Sequence, residues 1–218
     1  MMIKEIIQWV NSPNGDDVPR IFLLSSVAGS GKSAIAHTIA KLFYGQKRLG
    51  SSYCFARSDQ ANRRSDNLLS TIALNIADID EHWKTSLGNI VKDDRSLRTT
   101  VSATEQFQKF ILEPAMALTT VGPILVVIDA LDESAEGHSR KNLLDTLANG
   151  ISDLPSNFRI LMTARPEPDI VGAFKNNLCK NMDTIDEASN KTDIAVFVET
   201  HLSDVCSLEE KWPKKRWC

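Results

Sequence analysis

A Gly-rich segment that ends in lysine and serine has the clearest chemical meaning in this sequence. Residues 26–33 read Ser-Val-Ala-Gly-Ser-Gly-Lys-Ser. Small residues let successive backbone N–H groups curl around phosphate oxygens, and Lys32 can reach the β- and γ-phosphates of a nucleotide as a flexible point charge. The Ser33 hydroxyl can ligate Mg²⁺, which takes few protein ligands. The segment therefore predicts a site for a nucleoside triphosphate with Mg²⁺.

The nucleotide-binding residues predicted in this segment form one run: Ser26, Val27, Ala28, Gly29, Ser30, Gly31, Lys32, Ser33 and Ala34. The phosphate-loop pattern has glycine five residues before Gly31, where this chain has Ser26. If that position requires a positive φ, serine costs roughly 1–2 kcal/mol. If it requires only a small side chain, serine costs little. The alternative to a phosphate site is a turn of small residues before a helix, with a chance lysine.

An acidic cluster follows the most apolar run of the chain. Residues 124–128 end directly before Asp129, which is placed to hold Mg²⁺ as the acid of a neighbouring strand. A carboxylate just beyond the metal site can orient or deprotonate the attacking water. We prefer Glu133 as this catalytic base, with Asp132 as the rival. The alternative is an acidic turn exposed to solvent.

An arginine follows another apolar run. Residues 158–163 end in Thr163, and Arg165 comes two positions later. At the carboxyl edge of a parallel sheet both side chains would face a bound nucleotide. Arg165 is therefore a predicted nucleotide-binding residue that contacts the γ-phosphate with both arms of its guanidinium. The alternative is a surface arginine on a loop.

The elements that must position these residues alternate between strands and helices. Apolar runs at 21–24 and 124–128 predict strands, as do the segments at 51–56 and 158–163, and apolar residues at helical spacing predict helices between them. This alternation predicts an α/β fold with a mostly parallel central sheet. We expect the three-layer αβα sandwich of a P-loop NTPase. The distance along the chain from Lys32 to Asp129 favours the class with an inserted strand, and a short helical segment would follow.

We predict four segments in the chain. They are an N-terminal helix and linker at 1–19, the NTPase core at 20–172, the start of a helical subdomain at 173–206 and a tail without periodicity at 207–218. Beyond Pro166 no further strand is expected. A helix is predicted over Asp193–Leu202 because its apolar residues recur at helical spacing.

Composition excludes several classes of protein. The 218 residues carry 25 Lys and Arg against 28 Asp and Glu, a net charge of −3, so no basic surplus favours nucleic acid. No apolar run is long enough to span a membrane. The cysteines are too scattered for a structural zinc site or a disulfide scaffold, which favours reduced thiols and a cytoplasmic location: Cys54, Cys179, Cys206 and Cys218.

The segments at 23–33, 124–133 and 158–167 together resemble the NACHT family of STAND-type signal-transduction NTPases. The likeness is greatest to the form found in fungal proteins and in nephrocystin 3-like N-terminal domains, and it runs from about Ile3 to about Leu202. It implies the roles already inferred for the site residues: phosphate and Mg²⁺ contacts for Lys32 and Ser33, the Mg²⁺-linked acid for Asp129, the catalytic pair for Asp132 and Glu133, and the sensor for Arg165.

The family also implies a switch. Binding of ATP or GTP favours an oligomer-competent state, and slow hydrolysis resets it. The expected partners are a nucleoside triphosphate and, through self-association or signalling, other protein chains. NACHT-like switches usually continue into further helical regions and sensor repeats, so the sequence suggests a truncated form that lacks them.

Other functions stay open at this point. Residues 190–193 match the guanine-reading pattern NKxD, but a polar stretch precedes them, and they are more simply a helix N-cap. ATP is therefore preferred to GTP. A P-loop kinase for small molecules would need a lid, for which Arg57, Arg63 and Arg64 lie too early in the chain. A non-catalytic interaction fragment is the third possibility.

Overall fold

The computed structural model describes residues 2–13, 18–56, 65–120, 122–134, 137–175 and 179–182. Five strands form its sheet: β1 (Ile21–Ser25), β2 (Leu49–Cys54), β3 (Ile124–Asp129), β4 (Phe158–Ala164) and β5 (Cys179–Met182). The predicted helix at 193–202, the tail and the three arginines weighed as a kinase lid lie outside the described residues.

Helices connect and cover these strands. The α-helices are α1 (Met2–Val10), α2 (Lys32–Gly45), α3 (Ser65–Ala77), α4 (Glu81–Asp93), α5 (Ala103–Gln106), α6 (Glu113–Ala115), α7 (His138–Gly150) and α8 (Pro168–Ala173). A π-helix, Phe107–Leu112, joins α5 to α6 without a break. Short 3₁₀-helices are found at Arg95–Thr99, Leu131–Glu133 and Ile151–Asp153.

The described strands are all parallel and follow the order β2-β3-β4-β1-β5. Every residue of β1, β3 and β4 is buried, which explains why these strands are mostly apolar, with Arg159 and Thr163 as the polar exceptions within β4. β4 lies between β1 and β3, so one strand separates the strand before the Gly-rich segment from the strand that ends in Asp129. The predicted α/β fold with a parallel sheet is confirmed.

Two hydrophobic clusters cover the two faces of the sheet. Side chains on alternate positions of one strand enter different clusters, as the pleat requires. Phe22 and Leu24 of β1 pack with α1 and α2, whereas Ile21 and Leu23 pack with the helices of the opposite face, which include α3, α4 and α7. Helices therefore lie on both faces, an arrangement compatible with a three-layer sandwich.

One strand was not expected from the sequence. The prediction that no strand follows Pro166 is wrong, because Cys179–Met182 pairs in parallel with β1 and extends the sheet beyond residue 172. Its sequence, Cys-Lys-Asn-Met, has no continuous apolar run. Backbone pairing with β1 and the ion pair between Lys180 and Glu5 of α1, at 2.6 Å, hold it instead. Among the described strands β5 has β1 as its one neighbour, and a charged side chain is common on a strand at the edge of a sheet.

A buried carboxylate joins α4 to the segment before β3. Asp80 is the N-cap of α4, where its side chain accepts a hydrogen bond from the backbone N of Trp83. Its other oxygen accepts from the backbone and hydroxyl of Thr119 and from the hydroxyl of Thr120. Burial by itself raises the pKa of Asp80, but these hydrogen bonds outweigh it and lower the pKa to about 2.

We expect Asp80→Asn to lower the free energy of unfolding by about 1–2 kcal/mol at pH 7. Asparagine can still cap the helix through its amide oxygen, but its amide nitrogen cannot accept the hydrogen bonds that Thr119 and Thr120 donate to Oδ2. A depressed pKa in the folded state favours folding above the unfolded value of 3.8, and this contribution is lost as the pH falls toward 2. Urea denaturation between pH 7 and pH 3 should therefore show a difference between the proteins that narrows with acid. Asp78→Asn in the same turn is the control. An effect equal to that of the control would refute the role of Asp80.

Among the described residues, no helix is both long and apolar enough to cross a membrane.

Candidate functional site

The Gly-rich loop, residues 26–31, connects β1 to α2 at the carboxyl edge of the sheet. Gly29 and Gly31 have positive φ values of 78° and 85°, which side chains with a Cβ rarely adopt, so glycine is required at both positions. At the start of the loop the backbone N of Ser26 donates to the carbonyl of Ala164, 3.3 Å away. This hydrogen bond ties the loop to the end of β4. Helix α2 then begins at Lys32.

Lys32 lies across this loop. Its Nζ donates hydrogen bonds to the carbonyl oxygens of Ser26, at 2.7 Å, and Val27, at 2.8 Å. Burial lowers the pKa of Lys32, with the charge of Arg165 acting in the same direction, while Asp132 and Asp129 oppose the shift. Arg165, Asp129 and Asp132 are thus close enough to Lys32 for their charges to shift its pKa.

Ser26 adopts an ordinary backbone conformation. Among the described residues other than glycine, only Lys47 and Ala130 have a positive φ. Ser26 therefore has none of the strain that a left-handed conformation would cause. It is also buried, with a relative exposure of 7%. Serine in place of the glycine of the pattern therefore causes no backbone strain at this position.

We expect Ser26→Gly to leave nucleotide affinity within about twofold of the unmodified protein, or slightly tighter, because its φ needs no relief and its backbone contacts remain. Titration of a fluorescent ATP analogue against both proteins would measure the difference. A loss of tenfold or more would show instead that the serine hydroxyl itself contacts the phosphates.

Ser33, Asp129 and Thr163 meet at this edge although they come from three distant parts of the chain. The Ser33 hydroxyl donates to Oδ1 of Asp129 at 3.1 Å, and the buried Thr163 hydroxyl donates to the same oxygen at 2.5 Å. Thr163 also accepts a hydrogen bond from the backbone N of Ala130, which has a left-handed conformation (φ 56°). The carboxylate of Asp129 is therefore fixed in direction next to the first turn of α2.

Oxygen atoms of this kind suit Mg²⁺. The ion prefers hard oxygen ligands at 2.0–2.1 Å in octahedral geometry, which places neighbouring ligands about 2.9 Å apart. The separation of 3.1 Å between the Ser33 hydroxyl and Asp129 Oδ1 is close to that spacing. Among the described residues, no three or more His, Cys, Asp or Glu side chains form a metal site by themselves. Two protein ligands would fit Mg²⁺ if nucleotide phosphates and waters completed its shell.

Asp132 and Arg165 are paired. Arg165 Nε lies 3.1 Å from Asp132 Oδ2, and the backbone N of Arg165 donates to Oδ1 at 3.0 Å. The Asp132 side chain is 4% exposed, whereas that of Arg165 is 46% exposed. Because both carboxylate oxygens of Asp132 contact Arg165, this residue is placed to orient the arginine. Arg165 has further donors on its terminal nitrogens.

Glu133 lies in the 3₁₀-turn Leu131–Glu133, where its backbone N donates to the carbonyl of Ala130 at 2.8 Å. Its side chain is partly exposed, unlike the buried Asp132 beside it. The two carboxylates that the sequence left as rivals for the catalytic base therefore differ in exposure to solvent. Three of the remaining predicted residues are exposed to solvent: Val27 and Ala28 in the Gly-rich loop, and Ala34 in the first turn of α2.

Arg140 is a residue that the sequence analysis missed. It is 6% exposed, and its guanidinium contacts Glu167 at 2.6 Å, Asp169 at 3.0 Å and the carbonyl of Asp132 at 3.4 Å. It thereby links the turn after β3 to the loop after β4 that carries Arg165. Its position three residues before Leu143, on the buried stripe of α7, was the available signal.

Cys54 was also missed as a neighbour of the site. It ends β2 beside Asp129 in register, and its Sγ donates to Asp129 Oδ2 at 3.3 Å. Both oxygens of the Asp129 carboxylate therefore have partners. The signal in the sequence was the end of the predicted strand, since parallel strands end at one edge.

Comparison with known families agrees with part of this picture. The family model for nephrocystin 3, N-terminal, matches residues 3–165, more than two thirds of the chain. The chain belongs to the nephrocystin 3 N-terminal family. The matched residues include the Gly-rich loop, the turn after β3 and Arg165, and therefore every site residue predicted from the sequence. A search of curated proteins found no match.

Proposed function

We propose that this chain binds a nucleoside triphosphate with Mg²⁺, ATP in preference to GTP, and hydrolyses it slowly as the nucleotide module of a NACHT-like switch. The observation that carries the proposal is the contact between Ser33 and Asp129, beside Lys32 at the start of α2. Residues so distant in sequence converge on one point of the sheet edge. Hard oxygen ligands and a lysine side by side are suited to a metal–phosphate complex.

The protein residues divide the work between binding and proton transfer. Lys32 would exchange its two loop carbonyls for phosphate oxygens, which carry full charge and make stronger hydrogen bonds. Backbone N–H groups of the Gly-rich loop would contact the same phosphates. Ser33 and Asp129 would hold Mg²⁺, which when bound supplies positive charge to the phosphate oxygens.

The turn after β3 and the loop after β4 would serve the reacting end of the nucleotide. Glu133 would accept a proton from the attacking water. Its side chain is partly exposed, whereas Asp132 is buried and paired with Arg165, and this difference supports the choice. Asp132 would orient Arg165, whose terminal nitrogens would contact the γ-phosphate. Arg140 fixes both segments relative to each other and acts as a positioning residue.

Product analysis tests the proposed reaction. Incubation of the purified chain with ATP and Mg²⁺, followed by ³¹P NMR, should show slow formation of ADP and inorganic phosphate. The same incubation with a panel of nucleosides, sugars and small-molecule alcohols should add no new phosphate ester. Transfer of phosphate to one of these acceptors would refute the hydrolase in favour of a kinase. Complete stability of ATP over a day would refute hydrolysis altogether.

A further inference from the structure

A groove lies between α3 and α4. None of the described residues that line it belongs to the candidate site. The groove has a volume of about 680 Å³, and the 3₁₀-helix Arg95–Thr99 and Phe110 of the π-helix close its sides. We call it the α3–α4 groove. Residues along both helices line it, from Ser70 to Asp78 on α3 and the turn after it, and from Lys84 to Lys92 on α4.

The floor of the α3–α4 groove is apolar. Ala73, Leu87, Leu97 and Phe110 line it, and each is otherwise buried in the hydrophobic core, with exposures between 1% and 9%. Leu74 stands beside them with 63% of its surface exposed. These core residues are partly accessible from the groove, and Leu74 beside them is exposed. Together they form an apolar surface that is already accessible to a partner.

The rim of the groove is mostly basic. Of the described residues that line the groove, three are basic, Lys84, Lys92 and Arg98, and one is acidic, Asp78. Lys84 is within 3.4 Å of Glu81, but both side chains are more than half exposed, and such a surface pair contributes little. The rim therefore has a positive balance in a chain whose net charge is −3. Charge complementarity selects an acidic partner.

The length of the groove matches a helix. Eight residue steps along α3 and eight along α4 correspond to about 12 Å on each helix, or roughly two turns. A third helix fits naturally into the channel between two neighbouring helices, because side-chain ridges pack into such grooves. A nucleic acid would gain little from the apolar floor, since its affinity comes mainly from phosphate contacts.

We propose that the α3–α4 groove binds an amphipathic helix of a partner protein that carries acidic residues beside its apolar stripe. The apolar side chains of this helix would pack on Leu74, Leu87 and Phe110. Its flanking carboxylates would contact Lys84, Lys92 and Arg98. This is helix-in-groove recognition, with affinity from the apolar contact and selectivity from the charged rim.

A designed peptide tests the proposal directly. The probe is a fluorescein-labelled peptide of 14 residues with Leu at helical spacing and Glu on both flanks of the leucine stripe. A matched peptide has Lys in place of each Glu. Fluorescence anisotropy with the full chain should give a micromolar Kd for the acidic peptide and at least tenfold weaker binding for the basic one. Equal binding of both peptides, or no binding of the acidic peptide, would overturn the proposal.

Variants locate the binding surface. The combined change Lys84→Glu, Lys92→Glu and Arg98→Glu, and separately Leu74→Glu, should each weaken binding of the acidic peptide at least tenfold. Lys41→Glu on the exposed face of α2 is the control and should have no effect. All four positions are exposed, so circular dichroism melts should match those of the unmodified chain. Unchanged binding in the groove variants would place the peptide elsewhere and refute the proposal.

Two further measurements exclude other occupants. If light scattering showed a dimer that Leu74→Glu dissociates, the occupant would be a second copy of this chain. If Lys84 and Lys92 reacted with an acylating reagent much more slowly than the exposed Lys41 in the monomer without peptide, the chain itself would cover the groove. Either result would overturn the assignment to a partner protein. A monomer in which Lys84 and Lys92 react as readily as Lys41 supports it.

Discussion

Lys32→Ala should weaken the affinity for ATP by at least about 100-fold. The lysine would make two charge-assisted hydrogen bonds to phosphate, each contributing about 1.5–3 kcal/mol, and 1.4 kcal/mol corresponds to a factor of ten. Alanine can replace neither the charge nor the donors. Isothermal titration calorimetry with Mg²⁺–ATP would measure the loss.

The control for this variant is Lys41→Ala, on an exposed position of the same helix. It removes the same charge and should leave the affinity unchanged. Because Lys32 also donates to two carbonyls of the loop, thermal unfolding of both variants must be compared with that of the unmodified chain. Affinity for Mg²⁺–ATP that is the same in folded Lys32→Ala as in the unmodified chain would refute the assignment of the Gly-rich loop to phosphate binding.

Glu133→Gln should slow ATP hydrolysis by about 100-fold or more while changing the affinity for ATP by less than about twofold. General-base catalysis contributes 10²–10⁴-fold, and glutamine keeps the size of the side chain without its basicity. Glu133 contributes no phosphate or Mg²⁺ ligand in the proposed site, so binding should be spared. Phosphate release under saturating ATP would measure the rate.

Asp132→Asn distinguishes the two carboxylates. Both oxygens of Asp132 contact Arg165, so its loss should act through the arginine and reduce the rate no more than Arg165→Ala does. A normal rate for Glu133→Gln together with a rate near zero for Asp132→Asn would show that Asp132 is the base. The proposed division between Glu133 and Asp132 would then be wrong.

The parallel sheet was predictable because its central strands are buried on both faces. Strands β1 and β3 have continuous apolar runs, and β4 is apolar apart from Arg159 and Thr163. All three end at the residues seen at the carboxyl edge. Burial on both faces leaves such a strong pattern in the sequence that these strands could be placed to within a residue or two. The structure also shows β4 between β1 and β3, and the inserted-strand class of P-loop NTPase stays a prediction.

Elements with mixed surroundings were harder to predict. Helix α4 lies in a charged stretch and buries only Trp83 and Leu87, so its apolar stripe is narrow, although Asp80 was a usable N-cap signal. Strand β5 has four residues and is held by backbone pairing with β1, which leaves no hydrophobic pattern in the sequence. Pairing of this kind depends on the tertiary structure and cannot be read from a local segment.

The residues of the candidate site also differ in how well the sequence predicted them. Motif spacing predicted Lys32, Ser33 and Asp129, and the structure brings these residues together at one edge. Spacing could not predict that Asp132 pairs with Arg165, or that Arg140 joins their two segments, because these contacts cross between loops. The roles of all these residues in binding and hydrolysis stay predictions for the experiments above.

The dependence of ATP binding on Mg²⁺ tests the central proposal most directly. Calorimetric titration of the unmodified chain should show micromolar affinity for ATP with Mg²⁺ and at least tenfold weaker binding with EDTA, because Ser33 and Asp129 would act on the nucleotide through the metal. Asp129→Asn should largely remove this difference. Absence of ATP binding in the presence of Mg²⁺, or equal affinity with and without the metal, would contradict the account.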